Sequence, residues 1–502
     1  MSRCARPLYQ VKGLMHMKWT QYIITVVAVL CLSFGGTSFV VADDMDLLND
    51  LDQEIATEKR GGTGSDLDLL DELDTARTEK KEDAYKYVTM IGTNLEGSIR
   101  LRGHVFFRDP VDREKVDKRN PIGEALLRFN TWTGNDKLRL NLAGWIETGT
   151  QKDTYDGIFR WPQDKDRQRH YLELNEVYLS LFQDSYDVTV GKKIFQNGIS
   201  TLFSPADRYR LTDSNDPLDP KDLGIWQTRV DYFWNKYTFT AAIFPIYSPA
   251  KQPSHRSRWS DTTGDYDIYE RDTTNKEVDE YFPSMSIDNV SYFARIKTTL
   301  AGWDLFISGY HGLNPYYVLR EEQRGSTTYL IKENIKVGNY AAGFSTAYKK
   351  WEFHGETLFN FSYDGKDDHY FTFVGGFTYT MDTWARRIFM EKIDITIEYA
   401  NEVITKEQSA DEYVESSRKS RLGRNDIFTR INFKYDEDLS FLYVSDFEFD
   451  PSGRYNKIQS EYKIRPGLLW TMAFEFFNGK DESYYGRWAR NDRFITSLKY
   501  SF

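Results

Sequence analysis

The stretch "WEFHGETLF" sets His354 between Glu352 and Glu356. In an extended chain that spacing puts all three side chains on one face, and a histidine beside a carboxylate is the base half of a nucleophilic site. The other half is a nucleophile. For His354 a serine would have to face it across the lumen, which the sequence does not show, and the other histidines after residue 42 (His104, His170, His255, His311 and His369) have no serine or carboxylate at telling spacing. No catalytic residue is assigned, and no enzymatic activity is expected.

A second cluster, "DSNDPLDPKD", carries Asp213, Asp216, Asp219 and Asp222. Carboxylate oxygens at close spacing are what calcium takes, but the glycine and the spacing of a calcium loop are missing. Neither metal nor cofactor is expected. Both cysteines, Cys4 and Cys31, lie in the first 42 residues, so thiol chemistry is excluded for the rest of the chain.

The aspartates belong to a longer stretch, 191–226, dense in charge (Asp207, Arg208, Arg210, Asp213, Asp216, Asp219) and braced by Pro205, Pro217 and Pro220. One reading is a loop that folds into a pore and narrows it. The other is a loop in solvent.

Which applies depends on the elements around it. Tyr, Phe and Trp make up 16% of the 502 residues, yet mean hydropathy is −0.61. Apolar residues confined to one face of many strands account for both. "EKIDITIEYA" sets Ile393, Ile395, Ile397 and Tyr399 against Asp394, Thr396 and Glu398, and "DIFTRINFKYD" sets Ile427, Ile431, Phe433 and Tyr435 against Arg430, Asn432 and Lys434. Eighteen such segments start near 96, 123, 137, 171, 186, 225, 236, 289, 302, 334, 351, 370, 391, 426, 439, 455, 467 and 493.

The connections alternate. Every second one is short, "GND", "QDS", "NK", "AG", "KK", "DED" and "RP", with 381–390 the exception, while those between are mostly long. A soluble sandwich has no reason for that parity. A closed up-and-down antiparallel barrel in an outer membrane does, with short turns and both termini on the periplasmic side. Closure is required because hydrocarbon offers no partner to an open sheet edge.

Eighteen strands predict a watered lumen. Its expected basic lining is Arg100, Arg102, Arg128, Arg139, Arg229, Arg295, Lys297, Arg430 and Lys434. Its acidic lining includes Glu147, Asp231, Glu352, Glu356, Asp394, Glu398, Asp446 and Glu448. Neither sign wins, so the charges either set up a field across the pore or pair and keep it wet. The last strand presents Phe494, Leu498, Tyr500 and Phe502 on one side, a lipid-facing row that also resembles the signal read by barrel assembly machinery.

Ahead of the barrel, "YIITVVAVLCLSFGGTSFVVADD" reads as a signal peptide cleaved after Ala42, with a retained single-span anchor as the competing reading. From 43 to 83, fifteen acidic residues face five basic ones, and "DMDLLNDLD" (44–52) returns as "DLDLLDELD" (66–74). The tail is either a solvated spacer or a pair of motifs docking a periplasmic protein through residues 44–74. The expected division is 1–42 leader, 43–94 acidic periplasmic tail and 95–502 barrel. Outer-membrane lipid and the assembly machinery are the other expected partners, and nucleic acid is not.

Gly191-Lys192-Lys193, Asn197-Gly198, Ser204-Pro205, Asp216-Pro217 and Asp219-Pro220-Lys221-Asp222 together resemble the large group of outer-membrane porins that includes the alginate-export barrels. The resemblance covers 191–230 in motif and 95–502 in architecture. It implies eighteen strands and passage of a polar polymer or small solutes, though the mixed lining departs from the basic lumen of the alginate exporter. The expectation is a channel for polar solutes or oligosaccharides. The alternative is an exopolysaccharide export port whose tail docks a periplasmic partner.

Overall fold

Side chains that alternate in character at period two hold a chain extended, and the segment Trp351–Ser362 illustrates the outcome. Trp351 and Phe353 on one row are exposed, while His354, Glu356, Leu358 and Asn360 on the other are buried. The rows meet different surroundings. A computed structural model describes residues 94–110, 116–254, 256–260, 276–414 and 421–502. The expected leader, and the acidic tail up to residue 93, lie outside the described residues.

Eighteen strands form one sheet. They are β1 Glu96–Phe106, β2 Ile122–Gly134, β3 Leu138–Gly149, β4 Leu172–Gln183, β5 Tyr186–Lys193 and β6 Ile225–Trp234. Next come β7 Tyr237–Phe244, β8 Ser291–Leu300, β9 Trp303–Leu313, β10 Lys336–Tyr348, β11 Trp351–Ser362 and β12 His369–Met381. The last are β13 Lys392–Lys406, β14 Asn425–Lys434, β15 Leu439–Glu448, β16 Gly453–Arg465, β17 Leu468–Gly479 and β18 Arg493–Ser501. Each pairs with its neighbour in sequence, and β18 pairs with β1. The sheet is therefore a closed antiparallel barrel, as the alternation predicts.

The turns follow the expected parity. Between β8 and β9 only Ala301 and Gly302 intervene, both at positive φ, the two-residue geometry whose twist matches that of paired strands. The 381–390 connection holds a short helix, Thr383–Arg387, capped by Asp382. At the long-loop end a small four-stranded sheet joins Lys276–Tyr281, Val318–Arg324, Thr327–Glu333 and Tyr413–Val414.

The outward rows are apolar and exposed: Leu101 and Val105 on β1, Ile307 on β9, Tyr340 and Phe344 on β10, Phe474 on β17, Leu498 and Tyr500 on β18. In water such a surface would be a costly continuous patch. The inward rows differ from the expected uniform polarity. Phe306, Ala341, Leu358, Val374, Ala400 and Phe428 all point inward and are buried. Something apolar covers them.

Candidate functional site

That cover is the segment 194–224, which leaves β5 and returns at β6. It carries Phe195, Ile199, Leu202, Phe203, Tyr209, Leu211, Leu218 and Leu223 among its charges. Phe195 and Tyr209 pack with Phe244, Phe293 and Tyr310 of β7 to β9. Ile199 and Ala206 sit on Phe306, Leu358 and Tyr370 of β9 to β12. Phe203 stacks on Phe428 of β14 at 5.4 Å and 6°, and Leu211 and Leu223 meet Leu126 and Trp145 of β2 and β3. Burying one such side chain contributes about 1.5–3 kcal/mol over leaving it in water. The loop lies inside the barrel and touches its wall on opposite sides.

A buried loop must still satisfy its backbone. Two inward carboxylates do this for 199–206. Glu356 accepts from the amides of Ile199, Ser200 (2.5 Å) and Ala206 (3.2 Å) and from the Ser204 hydroxyl (2.8 Å). Glu398 accepts from the amides of Thr201 (2.9 Å), Leu202 (3.0 Å) and Phe203 (2.9 Å), and lies 2.8 Å from His354 Nε2. Charge-assisted bonds of this kind are the strong ones, and without them either buried carboxylate would be costly.

The second half is held by ion pairs. Asp213 takes Arg169 at 2.7 Å, Asp216 takes Arg493 of β18 at 2.8 Å, and Asp219 takes Arg102 and, at 3.5 Å, Arg100 of β1. Lys221 reaches Glu147 on β3. Burial alone would push the Asp213 carboxyl up, but Arg169 and Lys221 bring it down to about 2. Burial likewise opposes, but Arg493 and Arg102 outweigh it at Asp216, and Arg102 and Arg100 at Asp219, so that both are held below the usual carboxylate range. The Lys221 ammonium is depressed by burial and by Arg169. The remaining loop charges turn inward on the loop: Asp207 accepts from the amides of Asn197 and Gly198, and Arg210 pairs with Asp222 at 3.2 Å. Arg208 lies over the Tyr316 ring at 5.3 Å.

No family model and no curated protein matches the chain. Solved structures with a similar chain path include OccK11 of Pseudomonas aeruginosa (TM-score 0.44, 10% identity, 81% of this chain and 96% of that one). OccD3 of the same organism gives 0.43 at 10% identity, covering 81% and 91%. OmpT, an outer-membrane protein of Vibrio cholerae, gives 0.35 at 10%, covering 82% and 97%. At such scores the fold assignment rests on the strand pairing itself.

The other lumen residues named from sequence fall into two groups. Arg229 forms a two-pronged pair with Asp231, which also accepts from Thr240. Asp394 holds Lys392 at 2.9 Å, Lys434 holds Glu391 at 3.2 Å, and Arg139 stacks on Trp132 at 4.3 Å. Arg128, Lys297 and Glu352 are exposed, and Arg295 and Arg430 are half-buried. Arg128, Arg295 and Lys297 have no ion-pair contact among the described residues. Phe494, Leu498 and Tyr500 share the outward row of β18, and Phe502 follows its end.

Sequence reasoning did not single out Arg169, Arg493 or Glu124 as anchors of the loop. Glu124 binds Arg102 at 2.6 Å, while His104 lies 3.3 Å from it. The signal for Arg493 was available, since it opens the last strand on the row opposite the terminal aromatics. Asp164, Asp166 and His170, in the connection between β3 and β4, lie close enough for a shared metal, but Lys251 at 3.1 Å and Arg160 at 2.8 Å already neutralise the two acids. Burial works against it, but the hydrogen bond to Asp164 raises the His170 imidazole above its ordinary value.

Proposed function

We propose that this chain is an outer-membrane channel that passes polar solutes or oligosaccharides, and that the loop 194–224 is its constriction. The observation that carries the reading is the loop's anchorage on β11 and β13 on one side and on β1, β3 and β18 on the other. A loop fixed so across a closed barrel narrows its bore. The exposed apolar outward rows support the membrane setting: with side chains such as Ile307 (58% exposed) and Tyr340 (60%) they form the lipid-facing band that a spanning barrel presents. With short turns and both barrel ends at the same side, the termini and the tail 43–94 are periplasmic, and the row ending at Phe502 serves recognition by the assembly machinery.

Because Arg100 and Arg102 are bound by Asp219 and Glu124, Arg128, Arg295 and Lys297 are left to act on the solute. The channel accordingly prefers anions mildly, not polyanions strongly, which sets it apart from an alginate exporter. Planar-bilayer recording of the purified protein tests the reading. Small discrete steps are expected, and larger ones when 197–206 is replaced by a short glycine-serine link. Absence of ion steps from both proteins would remove the channel.

A further inference from the structure

Three carboxylates stand together on the inner wall near the long-loop end. Asp426 and Glu448 face each other across β14 and β15, and Asp446 is the next inward position along β15. They are 1%, 1% and 2% exposed, respectively. Glu448 is well partnered, taking Arg424 Nη2 at 2.8 Å and the Tyr484 amide at 2.7 Å. Asp426 takes the Gly423 amide at 2.6 Å through Oδ2 alone. Among the described residues its Oδ1 and both oxygens of Asp446 meet no hydrogen-bond donor in good geometry, although the Tyr485 hydroxyl and the Phe447 amide lie toward Asp446.

The described cations nearby act mainly on Glu448. Arg424 is engaged by Glu448, and the Arg487 guanidinium lies 4.4 Å over both the Tyr484 and Trp488 rings. Buried carboxylates without donors are too costly to stay charged and uncompensated. Unlike the Asp164 group, this one has no lysine or arginine among the described residues paired to Asp446 or to Asp426 Oδ1.

We infer that Asp426, Asp446 and Glu448 form a site for a hard divalent cation, of the calcium class, at the long-loop mouth of the barrel. Such an ion takes six to eight oxygens, which the carboxylates and water supply. The three do not converge in one coordination sphere as they stand, so binding draws Asp426 and Asp446 inward. The ion ties β14 and β15 to the 480–488 connection through Glu448 and the Tyr484 amide it accepts.

Terbium is a suitable probe, because Tyr484, Tyr485 and Trp488 stand close enough to sensitise it. The full-length protein, purified in detergent and stripped with chelator, should show saturable terbium luminescence excited through these rings and displaced by calcium. Asp446→Asn should weaken binding about tenfold or more, whereas Asp164→Asn should not. If Asp446→Asn fails to show the heat-modifiable migration of a folded barrel, Asp426→Asn gives the same reading. No sensitised signal, or a signal unchanged in these variants, overturns the site. So does a wild type that gains no thermal stability from calcium but gains it on acidification from pH 7 to 5, an effect lost in Asp446→Asn, because a shared proton then takes the cation's place.

Discussion

Arg493, the first residue of the strand that closes the barrel, donates to Asp216 of the inserted loop at 2.8 Å across 277 residues of chain. The same guanidinium donates to Glu475 on β17 at 2.6 Å. One side chain thus ties the last hairpin of the wall to the loop that crosses its interior. Removing one partner of a buried pair leaves the other charge uncompensated, so Asp216→Ala should destabilise by about 3 kcal/mol. The denaturant midpoint for loss of heat-modifiable migration measures it. Because Arg493→Met also strips Glu475 of its partner, the double variant should be less stable than Asp216→Ala but should lose less than the sum of the two single losses, and strict additivity would mean that the pair is not coupled.

Glu356 and Glu398 hold the loop by its backbone, and a carboxamide accepts less strongly than a carboxylate. Each change to Gln should weaken docking by about 1.5–3 kcal/mol while the wall stays intact. In bilayer recordings the double variant should visit larger conductance steps far more often than wild type. Steps of unchanged size and frequency would place the constriction elsewhere.

Acidification should release the second half of the loop. The carboxyls of Asp213, Asp216 and Asp219 are held below their unfolded values. Groups depressed in this way stabilise the folded form above the unfolded pKa, about 4, and that contribution is lost as pH falls through the folded value, about 2 for Asp213. Conductance should therefore become noisier or larger between pH 4 and 2. A trace that stays quiet through that window contradicts the assignment.

Among lumen cations, those without an acidic partner set ion preference. Arg128→Gln should move the reversal potential in a salt gradient toward cation selectivity, and Arg100→Gln, the same change of one charge, should move it less, since Asp219 already offsets that charge. Equal shifts from both would mean that the pairing has no bearing on conduction.

Ile307 separates a membrane wall from a soluble one. At 58% exposure its change to Arg would be nearly neutral in water, but on a lipid face near mid-strand it should cost about 2–4 kcal/mol. Folding equilibria into phospholipid vesicles measure the difference, and a neutral result there would argue against lipid at that face.

The sequence by itself determined the wall. Strand starts read from alternation and turns fall within about two residues of those observed for all eighteen strands, because facing lipid or water is decided residue by residue, at period two, by the strand's own chemistry. Proline and charge in 194–224 likewise marked the loop as distinctive. What only the tertiary structure decided is where that loop goes and what holds it. Leu358, Val374 and Phe428 break the polar inward rows because Ile199, Leu202 and Phe203 cover them, and Glu356 and Glu398 act as acceptors for amides more than 150 residues away. Those partners meet only once the sheet has curved shut and brought distant strands around a common bore, a through-space condition that no local pattern carries.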